Sequence, residues 1–270
     1  MVAHANAKER AARRMKRKVL IVGIGAGNPE HMTVQAIAAL NRASVLFIPN
    51  KGDEKADLAD LRRAICARFI ADGARHRLVD FDVPERDRSH PAYDQGVGAW
   101  HDAVQQVYER LLAKELGEGE TGVFLAWGEP ALYDSMLRVF ERIAAKRNFE
   151  LDYDVVPGIS SVQALAAAHK VPLNRIGESV LITTGRKLAE GFPGHADSVV
   201  VMLDGQCAFK TVDPDAEIYW GAYLGTEDEI LVSGRLGDVV DEIERTRREA
   251  RERKGWIMDT YLLRQPPAKK

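Results

Sequence analysis

The residues KVLIVGIGAGNPEHMT, Lys18 to Thr33, join a branched-aliphatic run to a glycine-rich turn and then to a helical pattern. Val19, Leu20, Ile21 and Val22 form an unbroken apolar run, the mark of a strand buried on both faces. The run stops at Gly23-Ile24-Gly25-Ala26-Gly27-Asn28-Pro29, where glycine permits positive φ and lets a ligand approach bare backbone. Thr33 stands where an N-cap belongs, ahead of the helix that Val34 to Leu40 announce. Strand, turn and helix in this order form a ligand-binding edge in open α/β sheets.

Spacing narrows the ligand. A dinucleotide fingerprint needs G-x-G-x-x-G feeding a helix, whereas this turn reads G-x-G-x-G and is followed by Pro29. A P-loop ends in Gly-Lys-Ser/Thr, but Gly27 is followed by Asn28, Pro29 and Glu30, so no lysine is placed to grip phosphate. Glu30 repels a strongly anionic group, which favours a neutral or cationic ligand. The second strand closes in Ile48-Pro49 without an acidic residue for a ribose, and this counts against a nicotinamide oxidoreductase.

Lys and Arg number 38 against 40 Asp and Glu, so no net field draws the chain to nucleic acid or anionic lipid. An anionic substrate has to be met by a local basic patch. Cys66 and Cys207 lie far apart without C-x-x-C spacing or a companion histidine cluster, so neither a disulfide scaffold nor a metal site is expected. Apolar runs such as Ser198 to Leu203 are too short to span a bilayer, and a cytoplasmic enzyme without membrane partners is expected. Residues 1–16 are rich in Ala, Arg and Lys and lack a signal core; they read as a flexible basic tail, with Met15 as an alternative start.

Further along, strands are predicted at Ser44 to Ile48 and Arg77 to Phe81, with a helix over Leu58 to Ile70 between them. Asp82 to Pro91 is a polar, proline-bearing loop, and a long amphipathic helix follows from Pro91 or Tyr93 to Leu116. Thr121 to Trp127 repeats the opening pattern: an apolar strand, the turn Gly128-Glu129-Pro130, and a helix over Leu132 to Arg147. The polar stretch at Asn148 to Glu150 marks a domain boundary, giving an N-terminal α/β domain over 17–147 and a C-terminal α+β domain over 148–265. In the latter a strand at Leu151 to Val156 breaks at Pro157-Gly158, and Ser160-Ser161 cap the helix Val162 to His169. More strands are predicted at Ser179 to Thr183, Ser198 to Leu203, Glu217 to Tyr223 and Glu229 to Ser233, then a charged, solvated helix over Val239 to Lys254.

The turns at Gly23 to Pro29, Gly128 to Pro130 and Pro157 to Ser161 each follow an apolar strand, and convergence of such edges makes a cleft. Together they resemble the tetrapyrrole methylase family, the S-adenosylmethionine enzymes of cobalamin and siroheme synthesis. The family shows V-G-x-G-P-G-D-P with L-T, G-D-P-x-x-Y-G, V-P-G-I-S-S, and a strand ending in Met before a small residue. This chain has Val22 to Pro29 with Met32-Thr33, Gly128 to Asp134, Val156 to Ser161 unchanged, and Val201-Met202-Leu203. Ala26 replaces the family proline, Asn28 and Glu129 stand where aspartates are common, and Pro49 occupies the place of an acid proposed in uroporphyrinogen-methylating relatives.

The resemblance implies two α/β domains, a parallel-sheet N-terminal and a mixed-sheet C-terminal one, with a cofactor cleft between them. It implies S-adenosylmethionine as cofactor, held by Gly25, Ala26, Gly27, Gly128, Glu129, Leu132, Ser160, Ser161, Met202 and Gly225. Three stretches outside the general pattern, Pro49 to Leu58, Leu61 to Cys66 and Asp80 to Asp87, resemble one member of the aerobic cobalamin branch. That likeness implies methylation of precorrin-5 at carbon 1 with loss of acetate, and a homodimer. Another corrin-ring C-methyltransferase and a non-catalytic nucleoside- or tetrapyrrole-binding module are the alternatives. Acetate loss needs a base, for which Asp53, Glu54, Asp82, His90 and Tyr133 are candidates by location. A precorrin carries many carboxylates, and Arg62, Arg63, Arg86, Arg88, Arg186 and Lys187 are the expected contacts.

Overall fold

In the computed structural model, which describes residues 16–50, 52, 56–86, 93–146 and 150–265, the opening run is β1 (Lys16–Gly23). It lies between β4 (Thr121–Ala126) and β5 (Glu150–Val156) and pairs with both in parallel, Leu20 facing Val123 on one side and Asp154 on the other. β2 (Val45–Asn50) and β3 (Arg77–Asp82) complete an all-parallel sheet of order β3-β2-β4-β1-β5. Parallel neighbours need crossovers. These contain α1 (Val34–Asn41), α2 (Ala56–Phe69), α3 (Tyr93–Glu115) and α4 (Met136–Lys146).

Alternate residues of each strand enter opposite cores. Leu20, Val22, Leu46, Ile48, Val123 and Leu125 pack with Ala36 and Leu40 of α1 and with Ile65 and Cys66 of α2. Val19, Ile21, Val45, Phe47 and Phe124 pack with Tyr108 and Leu112 of α3 and with Val139 and Phe140 of α4. Phe47 stacks on Phe124 with centroids 4.5 Å apart, and Tyr108 and Phe140 close around the same ring at 4.8 and 5.0 Å. With both faces covered no position has to be polar, which is why β1, β2 and β4 read as continuous apolar runs. Pro49 sits in β2 beyond its last pair with β4, Phe47 against Phe124, so its missing N–H removes no ladder bond on that side.

Thr33 caps α1 as expected, its Oγ1 accepting from Ala36 N at 3.0 Å. The helix predicted from Leu132 begins only at Met136, because Tyr133 takes φ 54° and the Asp134 carboxylate accepts from Met136 N at 2.6 Å.

The second sheet has order β6-β7-β10-β8-β9, formed by β6 (Val180–Thr184), β7 (Ser198–Met202), β8 (Glu217–Ala222), β9 (Ile230–Arg235) and β10 (Asp259–Arg264). β6 and β7 are parallel, whereas β10 runs antiparallel to both β7 and β8, so the sheet is mixed. Its central strand, β10, is absent from the strands expected from sequence. α5 (Ser161–His169) packs on β8, β9 and β10, a short α6 (Gly185–Leu188) follows β6, and α7 (Leu236–Lys254) packs on β8 and β9.

The chain divides into a unit of residues through Ile24 and Met32–Gly158 and a second unit of Gly25–His31 and residues from Ile159 onward. The boundary expected at 147/148 therefore moves to Gly158, because β5 is hydrogen-bonded to β1 and belongs to the first sheet. The tail expected over 1–16 lies outside the described residues but for Lys16.

Thr33→Ala removes the cap of α1. We expect it to lower unfolding stability by about 1 kcal/mol, seen as a reduced urea midpoint at unchanged slope.

Candidate active site

β4, β1 and β5 are neighbours and parallel, so their carboxyl ends fall side by side on one edge of the first sheet. Three glycines meet there. A Cβ on Gly158 would lie 2.1 Å from the Gly128 carbonyl oxygen, and one on Gly23 would lie 2.6 Å from Gly158 N and 2.8 Å from that same oxygen. Backbone therefore packs directly on backbone, which no other residue permits. Glu129 staples the turns together: Oε2 accepts from Gly158 N at 2.7 Å and Oε1 from Ala131 N at 2.8 Å. Its carboxylate, expected to face a ligand, is engaged by these two backbone donors. Leu132 is half-buried beside it, and its N donates to Glu129 O at 3.1 Å.

In the second unit, the turn Gly25-Ala26-Gly27 packs on the residues that follow β8. A Cβ on Gly27 would meet Leu224 O and Thr226 Cγ2 at 2.6 Å, and one on Gly225 would meet Asn28 N at 2.8 Å. Gly25 and Gly225 hold φ near +80°, at 82° and 77°, where a side chain is strained. Asn28 ties the turn locally, its Oδ1 accepting from Glu30 N and its O from His31 N, both at 2.9 Å. From Gly23 to Thr33 there is no Lys or Arg, and the exposed Glu30 disfavours a phosphate-bearing ligand. The residues present thus fit an uncharged or cationic ligand.

Ser160 is buried and caps α5: its Oγ accepts from Val162 N at 3.1 Å, and Gln163 Oε1 accepts from Ser160 N at 3.2 Å. Ser161 Oγ accepts from Thr260 Oγ1 at 3.0 Å, and Thr260 is the β10 residue paired with Met202. Through these links Ser160, Ser161 and Met202 gather at one edge of the second sheet, where β7 and β8 both end.

A buried network fixes the turn after Met202. Asp204 accepts from Gln206 N (2.9 Å), Ala208 N (2.6 Å) and Tyr261 Oη (2.7 Å), while its backbone O accepts from Arg247 at 2.6 Å. Arg247 also donates to Asp259, which accepts from Trp220 Nε1 at 3.0 Å. Burial pushes the Asp259 carboxyl up, and Arg247 opposes that shift. Nothing in the residue pattern pointed to this set, because its members lie on four separate elements.

Each described cation expected in the basic trough has its own setting. Arg62 is 2% exposed, donates to Leu58 O at 2.8 Å and Leu125 O at 3.3 Å, and lies over the Trp127 ring at 5.8 Å. Burial draws its guanidinium down to about 10, with Tyr108 and Asp134 opposing. It is a core brace for the end of β4, which corrects its expected place among substrate contacts. Arg63 pairs with Asp80, and Lys187 pairs with Glu190 at 2.9 Å. Arg86 and Arg186 are exposed. Asp82 ends β3 and accepts from Asn50 Nδ2 at 3.1 Å, and Tyr133 is 44% exposed with its phenol raised by burial. Asp53, Glu54, Arg88 and His90 lie outside the described residues. Cys66 and Cys207 are free thiols, and among the described residues no group of three or more His, Cys, Asp or Glu could hold a metal. A cavity of about 450 Å³ beside α7, lined by Cys207, Glu244 and Arg247 among others, contains none of the expected site residues.

A model of the tetrapyrrole (corrin/porphyrin) methylases matches residues 18–240, and the chain belongs to that family. It is 57% identical over 249 residues to the precorrin-6A synthase [deacetylating] of Sinorhizobium sp, covering 92% of this chain and 95% of that one. Among solved structures it is similar to a cobalamin synthesis related protein (CobF) from Corynebacterium diphtheriae, with TM-score 0.79 and 34% identity over 93% of this chain and 98% of the other. The uroporphyrin-III C-methyl transferase of Thermus thermophilus, solved with S-adenosylhomocysteine, shares the fold at 17% identity and TM-score 0.55, covering 92% and 97%.

Gly158→Ala forces a methyl group onto the Gly128 carbonyl. We expect it to yield little folded protein, or a thermal midpoint lowered by more than 5 °C. Asp204→Asn turns an amide N–H₂ toward groups that donate; its cost is expected to be ~1–3 kcal/mol by urea titration.

Proposed function

We propose that this methylase transfers a methyl group from S-adenosylmethionine to carbon 1 of precorrin-5 and releases the extruded acetyl group as acetate, giving precorrin-6A. The observation that carries the reading is the 57% identity to a deacetylating precorrin-6A synthase along 92% of the chain. A change of substrate within one fold is a matter of local residues. Identity sustained over both units supports a shared substrate and product.

Bound S-adenosylmethionine supplies an electrophilic methyl on a sulfonium. The residues proposed to hold it are Gly25, Ala26, Gly27, Gly128, Glu129, Leu132, Ser160, Ser161, Met202 and Gly225. Most act through backbone or packing, since the Glu129 and Ser160 side chains are engaged in fixing the turns that carry them. In-line transfer between two carbons needs alignment and dryness more than proton transfer. Loss of the acetyl group consumes one water, whose proton must be taken up. Of the described candidates for that step, Asp82 is the last residue of β3 and Tyr133 lies in the turn that follows β4. Arg86, Arg186 and Lys187 are exposed and are proposed to meet substrate carboxylates. No helix among the described residues is long and apolar enough to cross a membrane. The family resemblance supports placing the activity in a cytoplasmic homodimer.

Incubation with precorrin-5 and methyl-labelled cofactor tests the assignment by mass spectrometry. A product that gains the labelled methyl and loses acetyl, with one acetate per S-adenosylhomocysteine, is expected. Methyl gain without acetate would assign the chain to a different corrin carbon. Ligand binding without S-adenosylhomocysteine release would make it a binding module.

A further inference from the structure

His31 is not among the residues assigned above to the cofactor or the base. It ends the turn Pro29–His31, directly after the glycines, with its backbone N bonded to Asn28 O at 2.9 Å. Its Cβ lies 2.8 Å from where a Gly25 Cβ would stand, so the imidazole is carried against the turn only because residue 25 is glycine. Its Nδ1 is buried with no hydrogen-bond partner. Among the described residues only one other buried side-chain nitrogen shares that condition, Nε of Arg264, whose guanidinium bonds Pro172 O through another nitrogen. The His31 nitrogen stands out because its neighbours are satisfied: Asn28 takes up both Glu30 N and His31 N.

A buried polar atom without a partner is costly, and proteins retain one where a ligand or water completes it. The turn has no Lys or Arg from Gly23 to Thr33, and Glu30 precedes the histidine, so the surroundings favour a ligand group that donates a hydrogen bond over an anion. A neutral imidazole nitrogen can accept from such a group. We infer that His31 Nδ1 is a binding contact of this site, accepting a hydrogen bond from an N–H or O–H donor of the S-adenosyl ligand seated on the Gly25–Gly27 turn. The donors available are the ribose hydroxyls, the adenine 6-amino group and the α-amino group. The inference rests on the reading that an S-adenosyl ligand binds here, and it adds a side-chain contact to a set that otherwise works mostly through backbone.

The test is calorimetric titration of S-adenosylhomocysteine and of 5′-methylthioadenosine at mildly alkaline pH, into the wild type and three variants. His31→Leu deletes the nitrogen, His31→Asn keeps a polar atom near the Nδ1 position, and His31→Gln moves it outward. His31→Leu and His31→Gln are expected to weaken S-adenosylhomocysteine binding by about 10- to 100-fold, and His31→Asn to stay within about threefold of wild type. If methylthioadenosine weakens in parallel, the donor lies on the nucleoside, as a ribose hydroxyl or the adenine 6-amino group; if it does not, the donor is the α-amino group. Wild-type affinity in His31→Leu would overturn the inference, as would equal losses in His31→Asn and His31→Leu, which would reduce the role to ring packing. Thermal melts accompany each variant, and should His31→Leu not fold, the Asn and Gln pair decides alone. Failure of the wild type to bind either ligand would instead sink the functional reading on which the inference rests.

Discussion

The close approach of Gly23, Gly128 and Gly158 is the constraint on which the first unit's site depends. Three neighbouring parallel strands end at one level, and the turns leaving them share a space that holds backbone and no side chain. Glu129 then locks two of those turns together by accepting from Gly158 and Ala131. Strand order supplies the proximity, and the glycines make it sterically possible. The result is an edge where backbone packs on backbone, with Gly23 and Gly128 themselves buried.

The second unit reaches a similar end differently. There the Gly25–Gly27 turn is seated on Leu224 to Thr226 by two further backbone approaches, at Gly27 and Gly225. Side chains hold the rest: Ser160 caps α5, Thr260 ties Ser161 to the strand beside Met202, and Asp204 anchors the next turn to Tyr261 and Arg247. Leu203 sits between Met202 and that anchor with φ 55°, a conformation that costs a non-glycine residue energy and persists where its surroundings hold it.

Features set by neighbours in sequence were legible; features set by distant partners were not. The apolar run of β1, the cap at Thr33 and the cap at Ser160 are local signals, and each stands in the structure where its residue type placed it. β10 went unread because Thr260 to Leu263 becomes a central strand only through pairing with β7 and β8. The polar stretch at 148–150 suggested a boundary, yet β5 completes the first sheet as an edge strand beside β1. Arg62 looked like a surface cation on a charged helix. Its burial comes from the Leu125 carbonyl and the Trp127 ring, both on another element. The order of the four family motifs suggested a set of cofactor residues at strand ends, but the sequence could not show that Glu129 binds backbone or that His31 Nδ1 has no hydrogen-bond partner.

The glycine-bearing strand ends, and not the cavity beside α7, are proposed to receive the S-adenosyl ligand. Hydrogen–deuterium exchange of the whole chain with and without S-adenosylhomocysteine tests this most directly. Slowed exchange at residues 23–31, 128–132, 158–161 and 223–226, with α7 unchanged, is the predicted result. Protection confined to Cys207 and residues 244–255, with the glycine turns unaffected, would contradict it.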